Sequence, residues 1–386
     1  MKKSLLALAV LGAFATGVQA QTSVSIGGLI QANVKSYKIS NTTRIAKNEL
    51  RVDDDYTSRF WLTGTEDLGG GLSALFYVEN RFNTDQRQST GGATGAGLAD
   101  GDTYVGLKGG FGQVTVGKHF WMAVQGLSTE FVSASGNIVA MPTSMTATST
   151  ILSQAGGYTD ITRRLNSITY RSPVINGFNG VVGVSTASAG AEGVINGSPT
   201  YSDGREYYLQ GGYNNGPLSL GLAYRDFTAE GRAAAGLDDK QLRFFGHYKF
   251  GGFKLGLMLD RADRTDVGAG KSSRNAWAIP VSYVFGNSTI LASFAKAGDL
   301  SVGAVNMRTP TGAVGNTGKD TGAKLWVLGY DYALSKRTNI GVYYSRLDND
   351  ARGQYVPLFA GTSLTGTAPV AGETASTFAL GVKHTF

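Results

Sequence analysis

The chain of 386 residues contains no cysteine, only eight prolines, and no run of 18 apolar residues. Each shortage excludes something. Without cysteine, and at this length, the chain is not a disulfide-stapled module. Without a long apolar run, helical membrane spans are ruled out. The three histidines, His119, His247 and His384, are far apart and share no metal-ligand spacing, so no metal is expected. Gly268 to Ser272 looks like the tail of a phosphate-binding loop, but Thr265 stands where the first glycine is required and no βαβ unit surrounds it. No histidine is paired with a plausible nucleophile on neighbouring strands, which argues against an enzyme and implies no cofactor. The formal net charge of +7, or +5 without Lys2 and Lys3, is dispersed rather than clustered, which gives no support for nucleic-acid binding.

What is present points elsewhere. Lys2 and Lys3 precede an apolar run from Leu5 to Val18, closed by Val18-Gln19-Ala20. This predicts a cleaved signal peptide over residues 1–20 and a single mature domain, 21–386, in an exported protein. Glycine is abundant, at 55 residues, without a collagen-like period, and the 18 tyrosines and 18 phenylalanines far outnumber the four tryptophans. The last ten residues alternate: Phe378, Leu380, Val382, His384 and Phe386 share one face, and Thr377, Ala379, Gly381, Lys383 and Thr385 the other. A mean hydropathy near zero fits strands with one face in lipid and one in water.

Seven short turn signals punctuate the chain: Glu66–Gly71, Gly109–Gly112, Ser172–Gly177, Asn214–Pro217, Phe250–Gly252, Gly286–Ser288 and Leu334–Arg337. Seven hairpins, with one strand from Ser23 to Val34 and one at the C-terminus, make sixteen. The expected fold is all-β: a sixteen-stranded antiparallel transmembrane barrel, wide enough to hold water. Pro280 falls within a presumed strand, and Leu325 to Tyr332 is apolar on both faces, so local irregularity is expected there. Longer polar connections alternate with the tight turns. The longest, about 119–163, can fold inward and narrow the lumen.

Several segments carry a family resemblance. They are Ser58-Arg59-Phe60-Trp61, Gly64 through Leu72, Tyr104-Val105-Gly106-Leu107, Phe111 through Lys118, Asn166 through Tyr170 with Ser172-Pro173, and the terminal Phe386. The chain resembles the general porins of Gram-negative outer membranes, particularly the trimeric proteobacterial type. That resemblance implies a homotrimer embedded among outer-membrane lipid and lipopolysaccharide, and passive diffusion of small hydrophilic solutes and ions. It also implies a constriction in which wall arginines face acids on the inward-folded loop. By position, Arg59 and Arg81 match the wall arginines, and strand parity agrees, with Glu79 inward beside Arg81. A third basic residue should precede the sixth strand. Parity with Ile168 and Tyr170 favours Arg163, whereas the local motif favours Arg164, and both stay open.

Relatives carry several acids on the constriction loop, but from Phe120 to Thr162 this chain has only Glu130 and Asp160. With Arg59, Arg81, Arg163 or Arg164, and Lys118 around the eyelet, a mild anion preference is expected. A substrate-specific channel is the alternative. It calls for a ladder of lumen aromatics or a long basic track, and Tyr77, Tyr104 and Phe245 read as too scattered for one. An adhesin or anchor acting through surface loops is the third reading.

Overall fold

The computed structural model describes residues 23–42, 48–53, 58–82, 84, 99–121, 164–186, 204–228, 237–266, 270–301, 318–355 and 369–386. They form seventeen strand segments: β1 (Ser23–Ser40), β2 (Asn48–Asp53), β3 (Ser58–Gly69), β4 (Leu72–Phe82), β5 (Thr103–Gly109), β6 (Gly112–His119), β7 (Arg164–Arg171), β8 (Phe178–Ser185) and β9 (Arg205–Asn215). The series continues with β10 (Leu218–Thr228), β11 (Leu237–Phe250), β12 (Phe253–Asp266), β13 (Gly270–Phe285), β14 (Ser288–Ala297), β15 (Ala323–Ala333), β16 (Thr338–Asn349) and β17 (Thr374–Thr385). Both β2 and β3 pair with β1, at Asn33–Lys38 and Ser23–Leu29 respectively, so together they make one barrel strand. The barrel therefore has sixteen staves, each antiparallel to its neighbours, as the turn count predicted.

Closure runs along β1 and β17, from Leu29 opposite Thr385 to Ser40 opposite Thr374. The C-terminal residue finishes the seam: the Phe386 N–H donates to the Gly28 carbonyl at 3.0 Å, and the Gly28 N–H to the Phe386 carbonyl at 3.1 Å. A closed ring leaves no row of unpaired backbone groups facing hydrocarbon, where each would cost several kcal/mol. All seven predicted turns fall between strands, and five are two-residue turns. Gly216, Gly251 and Gly286 take φ of +54 or +55, the left-handed conformation that the twist of a two-residue hairpin demands.

Alternation then sorts the side chains. Val24, Ile26, Ile30, Leu222, Leu257 and Leu380 are among the exposed apolar residues on the outer face, and Gln31, Asn33, Arg59, Arg243, Asp260 and Lys383 are buried on the inner one. The two irregular stretches resolve differently. At Pro280, β12 and β13 keep their register but lose the rungs between Leu255–Val281 and Met258–Ala278, where the ring has no N–H to give. In β15 the alternation is regular, with Trp326, Leu328 and Tyr330 outward and Leu325 and Val327 inward. Those inward apolar residues join a cluster with Ala276, Ala278, Ala295, Ala297 and Ala323. One sector of the inner wall is thus small and apolar, and most of the charge lies elsewhere.

Candidate pore constriction

The β3–β4 hairpin builds the first basic group. Arg59 and Arg81 are direct cross-strand partners, a placement in which two like charges repel. Glu79 resolves the conflict from between them. Its carboxylate lies 2.5 Å from Arg81 Nε and 3.8 Å from Arg59 Nη1. Tyr77 donates its hydroxyl to the same carboxylate at 3.2 Å, and Asp100 accepts the Arg81 backbone N–H at 2.7 Å. A Cβ on Gly101 would lie 2.5 Å from Glu79 Oε1, so a side chain there would collide with the acid. One carboxylate shared by two guanidinium groups leaves the trio net positive.

Two more charge groups stand on other staves, and their pairings escape a reading of the sequence. Asp260 accepts from Arg243 Nε, Arg274 Nη2 and Gln241 Nε2, each at 2.8 Å, and the three ionised side chains are fully buried. Glu206 lies 2.9 Å from Arg225 Nε. Alternation puts Arg243 and Asp260 on the polar face of their own strands. Which residues meet across strands depends on register, which one strand's pattern does not carry.

The third basic position turns on a bulge. Across β6 and β7 the register shifts between Gly117, opposite Ser167, and His119, opposite Arg164. Asn166, within this step, has φ +46. The extra residue means that strict alternation from Ile168 fails, and the residue opposite His119 is Arg164 rather than Arg163. Arg163, Glu130 and Asp160 lie outside the described residues. Lys118 departs from expectation: it pairs with Thr103, on the parity of outward Val105 and Val116, and its ammonium donates to the Ala99 carbonyl. It belongs to the barrel rim, not to the row of lumen-facing cations.

The chain leaves β6 by turning inward. Trp121 is buried, donates Nε1–H to Thr169 Oγ1 at 2.7 Å, and stacks on Tyr208 with ring centroids 5.9 Å apart. Its ring lies over Gly183, where a Cβ would come within 2.6 Å. Thr169, Gly183 and Tyr208 are all lumen-facing, so the first residues after β6 already lie inside the barrel. Tyr77, Tyr104 and His119, apart in sequence, form one stacked row on the wall, at 5.4 and 5.0 Å between centroids. His119 is held at both nitrogens, by Ser167 Oγ at 2.7 Å and Thr115 Oγ1 at 2.9 Å. The sequence did not foretell this serine–histidine contact, in which the Ser167 hydroxyl donates to the Gly117 carbonyl at 2.8 Å and so accepts from His119 Nδ1. Among the described residues, buried inner-wall cations also include Lys35, Lys254 and Lys383, and buried acids Asp239 and Asp331.

A closed sixteen-stave barrel with a polar, charged interior and an inward-turning chain after β6 is a water-filled pore. The family model for the Gram-negative porins matches residues 7–352. The chain belongs to that family. This porin is 30% identical, over the full length of both chains, to outer membrane porin protein 32 of Delftia acidovorans. It is 28% identical to an outer membrane porin protein of Bordetella pertussis, over 91% of this chain and 95% of that one. Among solved structures, an anion-selective porin from Comamonas acidovorans matches with a TM-score of 0.72 at 25% identity, covering 95% of this chain and all of that one. The porin is accordingly an outer-membrane β-barrel channel.

Proposed function

We propose that this porin passes small hydrophilic solutes by passive diffusion, with size exclusion where the chain turns inward after β6 and a mild preference for anions. The observation that carries the sign is Glu79 shared between Arg59 and Arg81, a net positive group on the lumen wall. The Comamonas porin described as anion-selective is a relative of the same sign. Arg164, opposite lumen-facing His119, is the third basic member in this reading. No bond is made or broken, and no cofactor or metal is required.

The functional unit is a homotrimer, with the outer face of β1 to β6 turned to its partners. Among the described residues, outward-facing tyrosine or tryptophan begins at β7, with Tyr170, Tyr207, Tyr224, Tyr248, Trp326 and Tyr330. Such residues mark a lipid–water interface, and their absence from β1–β6 fits a sector that meets protein instead of lipid. The rest of the outer face meets outer-membrane lipid and lipopolysaccharide. Residues 1–20 serve as the export signal and are removed.

The test is a planar bilayer containing the mature protein under a salt gradient. Open steps in groups of three, with the reversal potential on the anion side, support the reading. A correctly folded barrel without conductance overturns it.

A further inference from the structure

Two exposed lumen-facing cations stand close together on the wall beside the short turns. Lys108 pairs with Gln113 across β5 and β6, and Gln113 pairs with Arg171 across β6 and β7. The three make one rung beside the short turns, on the parity of Tyr104 and Thr169. Strands lie about 4.8 Å apart, so the two cations are separated by about 10 Å at the backbone. Both are exposed, and neither forms an ion pair among the described residues. By contrast Arg59, Arg81, Arg225, Arg243 and Arg274 each have a carboxylate within 3.8 Å.

A recess flanks the rung on either side. One, about 400 Å³, includes Lys108 and Gln113 and offers the hydroxyls of Thr63, Thr65 and Ser73. The other, about 310 Å³, includes Arg171 and offers the amides of Asn179, Gln210 and Asn214. No aspartate or glutamate is among the described residues lining either. Asp67, the cross-strand neighbour of Ser73, holds its carboxylate against the Gly69 N–H at 2.9 Å.

We propose that this rung and its recesses form a second solute site, for small polyhydroxylated anions of the sugar-acid class. The ammonium and guanidinium supply the charge. The hydroxyls and amides supply the donors and acceptors that a polyol backbone satisfies and a simple carboxylate does not. The site rests on the channel reading: past Glu79, which is paired with Arg59 and Arg81, an anion moving towards the short turns meets hydroxyls and then another cation. Because both cations stand in water, binding is weak and salt-dependent, which suits a site that solutes must also leave.

The experiment records current fluctuations of the reconstituted mature porin with gluconate, glucose or acetate added. Gluconate should give resolved blocking events, whereas glucose (hydroxyls without charge) and acetate (charge without hydroxyls) should not. In the Lys108→Gln, Arg171→Gln double variant, gluconate residence should fall about tenfold, the loss expected for one charge-assisted hydrogen bond. The Arg59→Ser, Arg81→Ser variant should keep the gluconate events while its reversal potential moves. Unchanged gluconate residence in the Lys108, Arg171 variant overturns the site, as does equal blocking by glucose or by acetate. A barrel that conducts nothing overturns the channel reading instead, which separates the two failures.

Discussion

Arg59 and Arg81 stand directly opposite each other on β3 and β4, and this close pair of like charges is held together by Glu79. Removing different members of the trio should therefore move selectivity in opposite directions. The Arg59→Ser, Arg81→Ser variant leaves the Glu79 and Asp100 carboxylates without these two cations, and its reversal potential should cross to the cation side. Glu79→Gln leaves two guanidinium groups, and should raise anion preference above that of the parent. Measuring both under one salt gradient checks the assignment. An unmoved potential in the double variant would remove the pair from the current path.

Gly101 tests the same trio by sterics alone. A Cβ there would meet Glu79 Cβ and Cγ at 2.6 Å, so Gly101→Val should displace the acid without altering any charge. The expected result is a selectivity shift in the direction of Glu79→Gln, smaller in size, with barrel yield preserved. A variant with parental selectivity would mean that Glu79 reaches both arginines from a shifted position.

Asp260 offers a prediction about stability. It is fully buried between Arg243 and Arg274, so Asp260→Asn takes a shared counter-charge away from two buried cations. Breaking a buried pair in this way costs about 3–5 kcal/mol. Urea-induced unfolding in lipid vesicles should show a midpoint well below that of the parent. Replacing all three by apolar residues of similar volume should recover most of the loss, because the three charges of this cluster are then gone together.

At the seam, Phe386 covers Gly28: a Cβ on that glycine would lie 2.3 Å from the phenyl ring. Gly28→Val and Phe386→Ala should each hinder closure, the first by collision and the second by uncovering the glycine. Heat-modified migration on gels reports the folded barrel, and both variants should convert at lower temperature. The Gly28→Val, Phe386→Ala pair should convert closer to the parent than Gly28→Val alone, since the collision is gone.

The fold was legible because the physics that shapes a barrel strand is local. Alternation follows from one face in lipid, and the tight turns follow from glycine at Gly216, Gly251 and Gly286. Arg59, Arg81 and Glu79 were legible for the same reason, each being placed by the parity of its own strand. What escaped was non-local or irregular. The bulge at Asn166 displaces the register by one residue, which is why parity pointed to Arg163 while Arg164 stands opposite His119. The union of Arg243, Asp260 and Arg274 is a matter of register among three strands. Leu325 and Val327 broke the rule that inward means polar because that sector of wall faces packed apolar groups, not water.

Trp121 gave no signal in the alternation, since it follows the last residue of β6, yet it ties the start of the longest connection to the inner wall. Its ring is locked by Thr169, Tyr208 and the bare backbone of Gly183, contacts worth about 3–5 kcal/mol by analogy with buried Trp→Ala changes. Trp121→Ala should free the inward turn, raising single-channel conductance and admitting larger uncharged polymers in size-exclusion assays. Selectivity should change little, because Arg59, Glu79 and Arg81 are held by the barrel wall and not by this anchor. Thr169→Val removes only the hydrogen-bond acceptor, and should give a smaller increase of the same sign. If Trp121→Ala leaves conductance at the parental value, the turn after β6 does not set the width of the pore, and the narrowing must be built by other residues.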